Sequence, residues 1–148
     1  MDTVLTEIKR EHDEARVLLK KIDESERMRW EDVKELYIML KGHHEAEEEV
    51  VFPKVRDVDT KAEKLVEHLI EEHEQAQDVL KTMIDAHELD RETFGELRTV
   101  LEEHMDEEET DLFKKARKGL SEEDLQAALE PFEKVEEKGK KTAEKEVK

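Results

Sequence analysis

The chain has no cysteine among its 148 residues, only 2 prolines and 4 glycines, and 4% aromatics. Without cysteine there is no disulfide and no thiolate metal site, so any bound metal must be held by histidine and carboxylate. Scarce Gly, Pro and aromatic residues remove most turn and strand material and point to long helices joined by short loops. Basic residues are also in deficit, 26 against 44 acidic, for a formal charge of −18. That balance argues against nucleic acid, which needs Lys and Arg to displace phosphate counterions, and against anionic membranes. No apolar run approaches a spanning length, and Met1-Asp2-Thr3 opens straight into helical pattern without a signal peptide. The expected location is the cytoplasm.

What is present is charge, 47% of residues against 35% hydrophobic, a balance that would suit a disordered chain. Periodicity overrules it. Leu5, Ile8, His12, Ala15, Leu19 and Ile22 form one helical stripe, and Val33, Leu36, Leu40, His43, Glu47 and Val50 a second, which Pro53 is expected to end. Thr60-Lys61-Ala62-Glu63 reads as a capping box for a third helix bearing Ala62, Val66, Leu69, His73, Ala76, Leu80 and Met83. Asp90 caps a fourth with Phe94, Leu97, Leu101, His104, Glu108 and Leu112. Ser121 caps a shorter fifth helix with Leu125, Ala128, Leu129 and Phe132 on its apolar side.

The second half repeats the first. Shifted by 61 positions without a gap, Glu11-His12 falls on Glu72-His73, His43 on His104, Glu47-Glu48 on Glu108-Glu109, and Phe52 on Phe113. Leu36, Leu40 and Lys54 fall on Leu97, Leu101 and Lys115. The expected fold is all-α: an up-down-up-down antiparallel four-helix bundle made of two repeated hairpins, plus a short C-terminal helix. Residues 1–135 form the domain, and the charged tail 136–148 is expected to fray.

In each of the four stripes a His interrupts the apolar seam, and in the second and fourth a Glu interrupts it again one turn later. Residues i and i+4 share a helix face, so His43 with Glu47, and His104 with Glu108, aim at one point inside the bundle. With 44 acidic residues among 148, a single His-x-x-x-Glu arises by chance about three times in ten, and a lone core His is more often hydrogen-bonded than metallated. Four core His, two with Glu, kept in one duplicated frame, are another matter. Two buried carboxylates cost several kcal/mol without partners. Two cations, each taking two His, with both carboxylates able to bridge ions about 3.5–4 Å apart, would remove that cost. His44 with Glu48 is an alternative that spacing alone leaves open, but neither lies on the stripe that the 61-residue shift selects. His68 and His87 read as surface or helix-end residues.

The pattern His12, His43-x-x-x-Glu47-Glu48 to Phe52-Pro53, Glu72-His73, and His104-x-x-x-Glu108-Glu109 to Phe113 resembles the hemerythrin-like, HHE cation-binding family over about residues 4–118. It differs from ferritin-like bundles, whose motif runs Glu-x-x-His. The resemblance implies a non-haem di-iron centre with His12 and His43 on one iron, His73 and His104 on the other, and Glu47 and Glu108 bridging; manganese or zinc would suit the same donors. Oxygen-carrying hemerythrins have a further His four residues after the third-helix one. Gln77 stands there, and Arg16 at the matching place in the first helix, so His44, Gln77 or solvent would fill the remaining positions. Lys114 replaces a second Pro. These departures count against simple oxygen carriage and leave three roles: binding or sensing of oxygen or iron, redox turnover of peroxide or nitric oxide, or a purely structural bundle.

Overall fold

The computed structural model describes all 148 residues, and every regular element is helical. Helix α1 is Val4–Glu24, capped by Thr3, whose hydroxyl accepts from the backbone N–H groups of Leu5 and Thr6. Helix α2 runs over 30–56 as α-helical Trp30–Ala46, π-helical Glu47–Val51 and α-helical Phe52–Arg56. Helix α3 is Thr60–Ala86. Helix α4 spans 91–119 in the same three parts: Arg91–Glu107, π-helical Glu108–Leu112 and Phe113–Gly119. Helices α5, Glu122–Ala127, and α6, Leu129–Glu146, complete the chain. Helix α1 packs on α2 and α4, and α3 packs on the same two, so the four long helices close into a bundle. No helix is long and apolar enough to cross a membrane.

Three local expectations change. The cap of α3 is Asp59 rather than Thr60: its carboxylate accepts from the Ala62 N–H at 2.7 Å and is held by Lys115 and Lys118. Pro53 does not end α2. The π turn before it replaces the usual i−4 bonding with i−5 bonding, seen where the Phe52 N–H reaches the Glu47 carbonyl. The same turn recurs in α4, where the Phe113 N–H reaches Glu108 and no proline follows, so proline is not its cause. The inserted residue slips the buried stripe by one position: Val55 and Ala116 are buried at i+8 from Glu47 and Glu108, while Lys54 and Lys115 at i+7 face outward.

The third change is the tail. Residues 136–146 do not fray; they continue α6, which lies along α2 and buries Phe132, Glu136, Gly139 and Ala143, with Val147 buried just past its end. The stripe is hard to see in the sequence because it uses Gly and Ala instead of large apolar residues. Small residues let the helices approach closely: a Cβ on Gly42 would sit 2.7 Å from the Glu136 carbonyl, and one on Gly139 would sit 3.0 Å from the Gly42 Cα. Tyr37 adds a hydrogen bond to Glu146 at 2.7 Å.

The core is in two parts. One cluster of 19 buried residues, including Leu19, Ile22, Leu36, Leu80 and Phe94, fills one end of the bundle. Another of 17, including Ile8, Phe52, Leu69, Leu112 and Phe132, fills the other. Between them, on all four long helices, sits a layer of buried polar side chains.

Candidate metal centre

Each helix places its polar residues by stripe position. His12 lies between Ile8 and Ala15 on α1, His43 and Glu47 follow Leu40 on α2, His73 lies between Leu69 and Ala76 on α3, and His104 and Glu108 follow Leu101 on α4. All six are at most 3% exposed. One donor atom from each of His12, His43, Glu47 and Glu108 falls within 4.8 Å of the others, and the same holds for Glu47, His73, His104 and Glu108. The structure thus brings all six expected residues together, as two four-residue groups that share both carboxylates.

The imidazoles are oriented by a ring of outer carboxylates. Nδ1–H of His43 donates to Glu11 and that of His104 to Glu72, both at 2.8 Å. Nδ1–H of His12 donates to Glu109 at 2.7 Å, and that of His73 to Glu48 at 2.9 Å. A carboxylate only accepts, so each of these bonds fixes a proton on Nδ1 and leaves Nε2 for the centre. Accordingly, Nε2 of His12 and His104 lie 3.0 and 3.3 Å from Glu108 Oε1. Those of His43 and His73 lie 3.0 and 3.4 Å from Glu47 Oε1. The four outer acids are two repeat pairs, Glu11/Glu72 and Glu48/Glu109. Stripe reasoning missed them because they flank the stripe, although the gapless repeat already contained them.

Two features test whether cations fit. Both oxygens of Glu47, Oε2 of Glu108 and Nε2 of His43 are buried without a hydrogen-bond partner, which is costly for groups of this polarity. A cation between them would satisfy all four. In the protein alone, protons take its place. Burial acts to lower His104, but Glu108 and Glu72 overcome it and carry the imidazole up to about 10; His43 is raised well above its ordinary value against the same burial, chiefly by Glu47. Burial acts to raise Glu108, yet His104 holds it well below the usual carboxylate range. The donor set is nitrogen and oxygen only, which suits iron, manganese or zinc.

The other histidines divide. His68 is half exposed beside Glu72 and Glu107, and His87 ends α3 in the left-handed region with φ 53°, as expected. His44, off the stripe that the repeat selects, is 1% exposed, because its ring turns inward against α3. Its ring stacks on His73, centroids 3.6 Å apart and planes 8° apart, and Gln77 holds its Nδ1 at 2.8 Å. Glu48 reaches His73 from the rim with its side chain 33% exposed. Helix α6 brings to the centre two residues that the sequence did not put there: Phe132 meets the His43 ring edge-on at 5.9 Å, and Glu136 joins Glu11 and His43. Burial and Glu11 push Glu136 up to about 8. A cavity of about 10 Å³, lined by His12, His43, His44 and His104 and closed by Leu101 and Met105, adjoins the centre.

A helical bundle with two carboxylate-sharing histidine groups at mid-height defines a cation-binding bundle domain. The hemerythrin HHE cation binding domain matches residues 3–116, and the chain belongs to that family. Helices α5 and α6 lie beyond the matched region. No curated protein and no solved structure matches the chain.

Proposed function

We propose that this is a non-haem di-iron protein that binds or senses oxygen or iron, built as an up-down-up-down antiparallel bundle. Short connections between successive long helices support that topology. The observation that carries the function is the sharing of Glu47 and Glu108 by both four-residue groups. His12 and His43 would hold one ion and His73 and His104 the other, with Glu47 and Glu108 available to both. When bound, such a pair supplies one-electron chemistry toward a small ligand such as oxygen. The chain's own part is to orient the four Nε2 atoms through the outer carboxylates, to supply two negative charges, and to exclude bulk water with the apolar clusters on either side. The cavity beside Leu101 and Met105 has room for about one water-sized group, which supports a small-molecule ligand and no larger substrate.

Metal analysis with an optical spectrum in air tests the reading. The expected result is about two metal ions per chain, mainly iron, with absorption from a bridged ferric pair. Folded protein that cannot be loaded with metal overturns it. Rapid turnover of hydrogen peroxide by the loaded protein would replace binding or sensing with redox catalysis.

A further inference from the structure

His44 and Gln77 have no counterparts in the other half of the repeat, where Met105 and Arg16 stand at the matching positions. Met105 is buried and apolar, and Arg16 turns outward to pair with Glu109 at 2.7 Å. The His44–Gln77 pair therefore belongs to one half only, on the side of His73 and His104. A ring nitrogen of His44 lies within 4.8 Å of ring nitrogens of both those residues. That proximity suggests a fifth ligand, but the stacking speaks against it. Two imidazoles with parallel planes 3.6 Å apart cannot both hold one ion in their ring planes. An ion in the plane of His73 would instead have the His44 ring beside it.

The hydrogen bond to Gln77 decides what His44 offers there. The amide N–H of Gln77 donates to Nδ1, so the single proton of a neutral His44 ring sits on Nε2. This tautomer is opposite to that of the four outer-carboxylate histidines, whose Nδ1 atoms carry the proton. Gln77 is the only hydrogen-bond partner of His44 within the protein. His44 is buried and lines the small cavity beside the centre, where an acceptor can meet Nε2–H.

We propose that His44, set in its Nε2–H tautomer by Gln77, is a hydrogen-bond donor to a small acceptor ligand held beside the His73–His104 metal position. The proposal rests on the metal-centre reading above. The ligand class is an anion or polarised diatomic whose terminal atom accepts a hydrogen bond, with solvent in its absence. The flexible side chains of Met39 and Met105 also line the cavity and can yield to two or three atoms.

Azide binding to the iron-loaded full chain, followed optically, tests this. His44→Ala should keep two metals and an unchanged ligand-free spectrum while weakening azide about 10- to 100-fold, the value of a hydrogen bond to a charged acceptor. Gln77→Glu should weaken azide similarly, because a carboxylate accepts from Nδ1–H and strips Nε2 of its proton. Val17→Ala, on the exposed face of α1, should leave azide affinity unchanged. Nitrogen-15 histidine spectra of the unaltered metal-free protein should show His44 alone of the five buried rings protonated on Nε2 and bare on Nδ1. If His44→Ala loses a metal or shifts the ligand-free spectrum, His44 is a ligand and the donor role falls. Unchanged azide affinity in both variants, or an Nδ1–H tautomer, overturns it as well. A wild-type chain that holds no metal pair would instead defeat the metal-centre reading, which the tautomer measurement does not depend on.

Discussion

The two halves of the repeat carry the same wiring inside and different surroundings outside. Glu11 orients His43 and Glu72 orients His104 over the same 2.8 Å, and Glu48 and Glu109 do the same for the two remaining rings. Both halves widen into a π turn immediately after the second-helix histidine motif. Around this frame the halves diverge. Glu11 is 7% exposed beside Glu136 of α6, with Phe132 against the ring of its partner His43, whereas Glu72 is partly exposed and faces His68 and Glu107 at the surface. The hydrogen bond from His104 holds Glu72 below its ordinary value, while Glu136 on the sealed side is pushed up to about 8 by burial and Glu11 and so keeps a proton at neutral pH. Duplication has preserved the six central residues and the four outer acids, and released what lies around them.

The largest expected effect breaks both halves at once. Removing metal leaves Glu47 and Glu108 facing one another without a cation. At metal concentrations about 1,000 times the dissociation constant, binding adds about 4 kcal/mol to the native state. For a chain of this size that corresponds to a Tm about 10 °C lower after chelation. Replacing both Glu47 and Glu108 with Gln should abolish metal binding, so that chelation no longer shifts the Tm. The difference should also depend on pH. His104, raised to about 10 in the metal-free fold, contributes stability that is complete below the ordinary value of about 6.5 and is lost as pH rises through 10. Metal must displace that proton, so its affinity rises over the same window. Calorimetry from about pH 6.5 to about pH 10 should show the gap between loaded and metal-free protein widening; a constant gap would mean that metal does not replace protons on these rings.

The next effect separates the halves. Outer partners of metal-binding histidines are worth about 10- to 100-fold in metal affinity. Glu11→Ala should approach the upper figure, because no water replaces the buried carboxylate and Glu136 loses its neighbour. Glu72→Ala should approach the lower one, since solvent can hydrate His104 Nδ1 from the open side. Competitive titration against a chelator measures both. Equal losses would show that α6 contributes nothing to the centre.

Much of the architecture was readable from residues alone, for a physical reason. Large apolar residues at helical spacing, broken by His and Glu in a duplicated frame, have few folded solutions, and the six central residues followed directly. The outer acids, His44 and α6 were harder. Glu11 and Glu48 sit in a chain so rich in acids that no single one stands out, and only their duplication marks them. His44 looked off-stripe because the repeat selects His43, yet its ring turns toward α3, where it stacks on His73 and is held by Gln77. Helix α6 escaped notice because Gly139 and Ala143 bury little apolar area yet permit close packing. Close approach leaves almost no trace in a hydrophobicity pattern.

That packing gives the smallest and sharpest pair of predictions, on two glycines of the long helices. Gly42 lies where α6 crosses α2, and an added Cβ would meet the Glu136 carbonyl at 2.7 Å, a backbone atom that cannot swing aside. Gly42→Ala should therefore force α6 away and cost about 1–3 kcal/mol by overpacking. Gly95 lies within α4, in the half with no covering helix, and its Cβ would find only Asp23 Oδ1 at 3.8 Å, an ordinary contact. There the intrinsic preference of a helix interior decides, and Gly95→Ala should stabilise the fold by about 1 kcal/mol. Thermal unfolding of the two variants in metal-free protein reads both without involving the centre. Opposite shifts in Tm confirm that α6 is seated against Gly42. A stabilised Gly42→Ala variant would mean that α6 does not hold this position, and the sealed environment of Glu11 and His43 would go with it.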